Sequence, residues 1–175
     1  MKKKFLIAAI LTGTLSAAFG IYAATTPVNN DATASLLSRP FKDSNGQTQT
    51  LANYQGKMLL VNFWATWCAP CVKEMPELSA LQKEMQSKGV QIVGIGIDSP
   101  SNIKEFLQKY DVSYPVMVAG MEGTDLSRQL GNKSGALPFT LLIDRQGKVA
   151  KTYLGRLKME ELHTDITKLS SEKSK

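Results

Sequence analysis

The chain's two cysteines, Cys68 and Cys71, stand directly behind the apolar run "MLLVNFWA", Met58 to Ala65, and at the head of a segment with helical periodicity. An apolar run without polar alternation reads as a strand buried on both faces, which requires a sheet covered by helices on each side. The helix that follows is predicted from about Ala69 to Ser87, closed by Lys88-Gly89. Cys68 then falls where strand turns into helix. Unpaired N–H groups and the helix dipole favour an anion there and lower a thiol's pKa. Pro70 fits the first turn, where its missing N–H has no partner to lose. Cys71 lies one turn deeper and shares the core-facing side with Met75, Leu78 and Met85. The spacing therefore predicts one exposed, nucleophilic sulfur and one sheltered sulfur. That asymmetry suits a dithiol exchanger in which Cys68 attacks and Cys71 resolves.

Two other uses of the pair have to be weighed. A structural staple across so short a loop removes little unfolded-state entropy. Two thiolates can bind Zn²⁺ or Cu⁺, but closed zinc sites want four ligands, and the chain adds a single histidine, His163, on its last helix. A two-coordinate Cu⁺ site, as in a copper-binding dithiol chaperone, needs nothing more and stays open.

The net charge of +6 suggests nucleic acid until it is located, for half of it resides in Lys2, Lys3 and Lys4. The remainder is too weak for a nucleic-acid groove, so no nucleic acid is expected as a partner. The three lysines precede an uncharged apolar run, Phe5 to Ala24, in the pattern of an export signal. Residues 1–24 are thus a signal peptide or a signal anchor, since about twenty residues can also span a bilayer. Positive charge stays on the cytoplasmic side, so the rest faces a periplasmic or other extracytoplasmic space, where disulfides form and persist.

Residues 25–40 read as a linker, because Thr25 to Ser35 is small, polar and aperiodic. From Phe41 the elements alternate. Asn45-Gly46 suggests the turn of a β-hairpin, and Val90 to Asp98 a second buried strand. Ser101 is expected to cap a short helix through Ile103, Phe106, Leu107 and Tyr110. "YPVMVAG" reads as extended and "TDLSRQLG" as one or two helical turns. Strands flank a Gln146-Gly147 turn, and Met159 to Leu169 form an amphipathic helix through Leu162, Ile166 and Leu169. Asp98, Asp125 and Asp144 look like cap or turn residues. The pattern argues for an α/β domain over residues 41–170, with a central mixed β-sheet flanked by helices and an N-terminal β-hairpin extension. A polar tail, 171–175, follows.

"LVNFWATWCAPCVKEMPEL" together with "GALPFTLLIDRQGKV" resembles the TlpA/ResA branch of the thioredoxin superfamily, over about Phe41 to Leu169 and in the right order. The resemblance implies a thioredoxin-like fold and thiol:disulfide oxidoreductase activity carried by Cys68 and Cys71, with no cofactor and no metal. It implies that Pro138 is the proline held cis beside the cysteines and that the Leu137 backbone pairs with an extended client segment. Trp64, Trp67, Ala69, Leu137 and Phe139 would form an apolar rim around Cys68, although Trp64 and Phe139 read equally well as core. Pro76 matches a proline that bends the active-site helix.

Three departures matter. Thioredoxins carry an aspartate beneath the resolving cysteine where this chain has Asn62. Some ResA-like proteins carry a glutamate between the cysteines where Ala69 stands here. The family usually has threonine after the cis-proline, where Phe139 stands. Glu74, three residues beyond Cys71, is the nearest carboxylate by helical spacing and the candidate for proton transfer, against a plain surface role. Ala69-Pro70 brings no charge to the couple, which favours a reductase over a disulfide donor. The implied partners are a client protein with a disulfide or thiol pair, such as an apocytochrome c or a copper-site protein, and a membrane electron donor of DsbD or CcdA type. No segment suggests an oligomer interface, so a monomer is expected.

Overall fold

A computed structural model describes residues 30–171. The expected signal segment, residues 25–29 of the expected linker and residues 172–175 of the polar tail lie outside the described residues. In chain order the elements are α1 (Asn30–Ser38), β1 (Phe41–Asp43), β2 (Thr48–Gln49), β3 (Met58–Trp64), α2 (Ala69–Met85) and β4 (Val90–Gly96). They continue with α3 (Pro100–Lys109), β5 (Val116–Val118), α4 (Gly123–Gln129), β6 (Phe139–Ile143), β7 (Val149–Leu154) and α5 (Met159–Ser171).

The described strands form one mixed sheet in the order β2-β1-β5-β4-β3-β6-β7. β3 and β4 are parallel, as are β4 and β5, whereas β6 runs antiparallel to β3, and β7 to β6. The thioredoxin-like α/β architecture expected from the sequence is therefore present. The N-terminal hairpin joins the same sheet, because β1 also pairs with β5. Its turn is closed by Asp43, whose Oδ1 accepts from the N–H groups of Asn45 and Gln47 at 2.8 and 2.9 Å. Asp144 repeats the device between β6 and β7, accepting from Gln146 and Lys148.

Every residue of β3 is buried, as a continuous apolar run demands of a strand covered on both sides. One face of the sheet packs Leu60, Trp64 and Leu142 against α2, α3 and α5 through Met75, Leu78, Ile103, Leu162 and Ile166. The other packs Leu59, Val61, Phe63 and Leu141 against Leu36 of α1 and Leu126 of α4. The edge strand β7 alternates between half-buried and exposed positions, the signature of a strand covered on one side.

Two local expectations are corrected. Much of the expected linker is helical, and Leu36 of α1 is fully buried against the second face of the sheet. The tertiary contact of Leu36 and Thr33 orders a segment too polar to show helical periodicity by itself. The cap of α3 is Ser99 rather than Ser101: its Oγ accepts from the Asn102 N–H at 3.2 Å. Pro100 occupies the first turn, so the cap has to precede it. The end of α2 agrees with the sequence, since a short 3₁₀ turn leads to Gly89 at φ 79°, the left-handed conformation that glycine adopts without strain.

Candidate active site

β3 delivers the chain to the pole of the sheet where Cys68 caps α2. The Cys68 Sγ accepts from the Cys71 N–H at 3.3 Å, and the two cysteines are joined as a disulfide. Cys68 is 6% exposed and Cys71 0%. The predicted asymmetry holds in direction, with Cys68 nearer the surface but less open than expected. Val72 N–H closes the first turn onto the Cys68 carbonyl at 3.0 Å, so Cys68 sits at the helix N-terminus with a main-chain N–H on its sulfur.

The lead-in to Cys68 is held from the side. The Thr66 hydroxyl donates to Asp98 Oδ2, while Asp98 Oδ1 accepts from the Ser99 N–H at 2.7 Å and Asn102 Nδ2 at 2.8 Å. Burial alone would raise the Asp98 carboxyl, but the hydrogen bonds from Thr66, Asn102 and Ser99 outweigh it and hold it below the ordinary range. Asp98, expected to be a simple cap or turn residue, thus ties the active-site loop to the start of α3.

Beneath the helix lies a buried polar cluster. Glu74, on the first turn past Cys71, is 0% exposed, so a surface role is ruled out. Its Oε1 accepts from Asn62 Nδ2 at 2.8 Å and its Oε2 from the Leu157 N–H at 3.0 Å. Asn62 also donates to Thr140 Oγ1 at 3.0 Å. Burial pushes the Glu74 carboxyl up, against partial lowering by the Leu157 N–H, the Asn62 amide and the Arg156 charge. Asn62, which cannot take up a proton itself, is therefore the residue that holds one which can. Helical spacing made Glu74 a candidate; its burial and the Leu157 contact, across 83 residues of chain, had no sequence signal.

The Leu137–Pro138 bond is cis, as the resemblance implied. Pro138 is buried, and its carbonyl accepts from the Gly155 N–H at 2.8 Å. Leu137 is half-buried and packs against the cluster that contains both cysteines. Of the apolar rim expected around Cys68, Trp67 is 66% exposed and Ala69 is exposed, as is Pro70 beside them. Trp64 and Phe139 do not belong to that rim. Trp64 is fully buried against Phe106, with ring centroids 5.0 Å apart. Phe139 is buried on the opposite face of the sheet, 6.0 Å from the Phe63 ring. The alternation of β6 about Pro138 turns the Phe139 side chain away from the cysteines. The exposed Leu154, paired with Phe139 at the same end of the sheet, is an apolar surface residue that sequence reading missed.

Two sulfurs able to close and open one bond, a helix N-terminus at the outer sulfur and a buried carboxylate below are parts sufficient for thiol–disulfide exchange. The chain matches the Redoxin family model over residues 13–168. It is 35% identical over 130 residues to the thiol-disulfide oxidoreductase ResA of Bacillus cereus, covering 73% of this chain and 72% of that one. The ResA of Geobacillus thermodenitrificans is 34% identical over 123 residues, covering 69% of this chain and 67% of that protein. Among solved structures, a thioredoxin-family thiol:disulfide interchange protein of Chlorobium tepidum superposes with a TM-score of 0.65 at 28% identity, over 75% of this chain and 92% of that one. The exposed lipoprotein thioredoxin of Streptococcus pneumoniae gives 0.61 at 25% identity, over 74% and 98%.

Proposed function

This chain belongs to the redoxin family and is a thiol-disulfide oxidoreductase of the ResA type, and from that premise we propose that it works as an extracytoplasmic reductase of client disulfides. The observation that carries the direction is the charge around the couple. The residues between the cysteines, Ala69 and Pro70, are uncharged, and the group buried below them is a carboxyl. With no positive charge between the cysteines and Cys71 fully buried, a thiolate there is disfavoured, so the reduced form gains little stabilisation and passes its electrons on.

In the forward direction the Cys68 thiolate attacks one sulfur of the client disulfide. A mixed disulfide forms and the client's other sulfur leaves as a thiolate, which takes a proton from solvent. Glu74 accepts the proton of the Cys71 thiol, and the Cys71 thiolate then attacks Cys68 Sγ. The Cys68–Cys71 disulfide closes and the second client thiolate leaves, to be protonated in turn. The client gains two electrons and two protons. A dithiol donor restores the reduced pair by the reverse exchange.

An extracytoplasmic site of action is supported by the basic, then apolar, start of the sequence. In that setting the reductant is recharged from a membrane donor of the DsbD or CcdA type, and the protein acts as a monomer. Suitable clients are the oxidised heme-binding thiols of an apocytochrome c or the thiols of a copper site. An extended client segment lies along Leu137, with Trp67 covering its apolar side chains.

Equilibration of the Cys68–Cys71 couple with glutathione or dithiothreitol tests the direction. A potential below about −200 mV, toward thioredoxin at about −270 mV, is expected. A value near −120 mV, that of a strong oxidant, would recast the protein as a disulfide donor.

A further inference from the structure

The loop ahead of cis-Pro138 is tied down by a residue that exchange chemistry does not use. Asn132 is 2% exposed and spends all its polar groups on the loop and on α4. Its N–H donates to the Ser127 carbonyl at 3.0 Å, and its carbonyl accepts from the Gly135 N–H at 3.0 Å. Its Nδ2 donates to the Ala136 carbonyl at 2.9 Å and to Ser127 Oγ at 3.2 Å, while Oδ1 accepts from Ser134 Oγ at 3.1 Å. Ser134 Oγ in turn accepts from the Ala136 N–H at 3.2 Å. Ser127 is itself pinned, since its hydroxyl donates to the Thr124 carbonyl at 2.8 Å. Gly135 allows the fold-back. Its φ is +68°, and a Cβ there would lie 3.1 Å from the Arg128 guanidinium.

The consequence appears at the next two residues. Both main-chain groups of Ala136 are taken by Ser134 and Asn132, and the Pro138 carbonyl is taken by Gly155. Between them, neither the N–H nor the C=O of Leu137 has a hydrogen-bond partner among the described residues. We propose that Asn132 and Ser134 are positioning residues for client capture: they lock the main chain on one side of Leu137, so that this residue presents its N–H and C=O to an extended polypeptide beside Cys68. The inference rests on the exchange reading above and deepens it, because it makes main-chain recognition depend on a buried amide far from the sulfurs in sequence. A free N–H and C=O on an ordered backbone bind a strand with less ordering cost than the same groups on a mobile loop.

Asn132→Asp separates this role from packing. The aspartate keeps the shape and the acceptor for Ser134 but removes the amide that donates to Ala136 and Ser127. Two substrates are compared: a disulfide-bridged decapeptide, which can pair with Leu137, and hydroxyethyl disulfide, which has no main chain. The variant should raise KM for the peptide about tenfold, the scale of losing one ordered hydrogen bond. The kcat, the rate with hydroxyethyl disulfide and the reduction potential of the couple should stay within about twofold of the wild-type behaviour. Ser134→Ala, at an exposed position, should shift peptide KM in the same direction by a smaller factor and keeps the test open if Asn132→Asp does not fold. An unchanged peptide KM in both variants overturns the proposal, as does an equal loss on both substrates. The exchange reading fails separately, if the wild-type protein reduces neither substrate.

Discussion

Replacement of Glu74 by alanine and by glutamine separates what the buried carboxylate does for the fold from what it does for the chemistry. Glu74→Ala leaves the Leu157 N–H without its acceptor in a buried position, at about 1–3 kcal/mol. Asn62 retains Thr140 as an acceptor, so its loss is nearer 0.5–1 kcal/mol, about the net worth of one hydrogen bond. The one buried methylene that alanine lacks, Cγ, adds roughly 0.8 kcal/mol. The expected destabilisation is about 3–4 kcal/mol, a fall in Tm of roughly 10–15 °C for a domain of this size. Glu74→Gln keeps the methylenes and a carbonyl for Leu157, and should stay within about 1 kcal/mol at pH 5.

The pH dependence distinguishes the two further. Burial raises the folded-state pKa of Glu74 above its unfolded value, so the folded protein holds the proton longer than the unfolded chain. Wild-type stability therefore declines as pH rises from about 4.3, the unfolded value, through the raised folded value. Glu74→Gln lacks this slope and should gain on the wild type across that window, as read by urea unfolding at pH 4 to 8. In exchange assays both variants should lose the limb of the pH–rate profile that reports deprotonation of Cys71. A glutamine variant as unstable as the alanine, or a stability difference flat across the window, would refute the reading of Glu74 as a raised buried carboxyl. An unchanged pH–rate profile would remove its role in proton transfer.

Other predictions follow from single contacts. Trp67→Ala should change stability by less than about 0.5 kcal/mol, because the side chain is exposed, yet raise the KM for a peptide client. Trp64→Ala, one strand position from the loop, should cost about 3–5 kcal/mol by chemical denaturation. Gly94→Ala would place a Cβ 3.0 Å from Trp64 Nε1 and 3.3 Å from Tyr114 Cε2, and should destabilise by about 1–3 kcal/mol through overpacking. Asp98→Ala removes the acceptor of Thr66, Ser99 and Asn102, and should cost about 2 kcal/mol at neutral pH. Because the folded Asp98 carboxyl is held low, that difference is present above its unfolded value of about 3.9 and shrinks as pH falls through the folded value.

Much of this molecule could be read before its structure. The unbroken apolar run of β3 and the cysteines behind it required a covered sheet with a helix starting at Cys68, because local propensity and hydrophobic periodicity are properties of neighbouring residues. The same periodicity put Cys71 on the buried side of α2, with Cys68 at its N-terminus nearer the surface though less open than expected. Segment chemistry also located the turns at Asn45-Gly46 and Gln146-Gly147, which the carboxylates of Asp43 and Asp144 close in the structure.

What could not be read depends on which distant segments meet. α1 reads as a linker, and only the sheet face against Leu36 makes it a helix. Phe139 reads equally well as rim or core until the register of β6 against β3 turns it to the far face. The burial of Glu74 waits on Asn62 and Leu157, and the locked backbone before Pro138 waits on Asn132. By itself the sequence determined the cysteine pair and the helix that Cys68 caps, since those depend on interactions within a few residues. Tertiary structure alone decided the burial of Glu74 and the side of the sheet on which Phe139 lies, because desolvation and register depend on contacts between segments far apart in the chain.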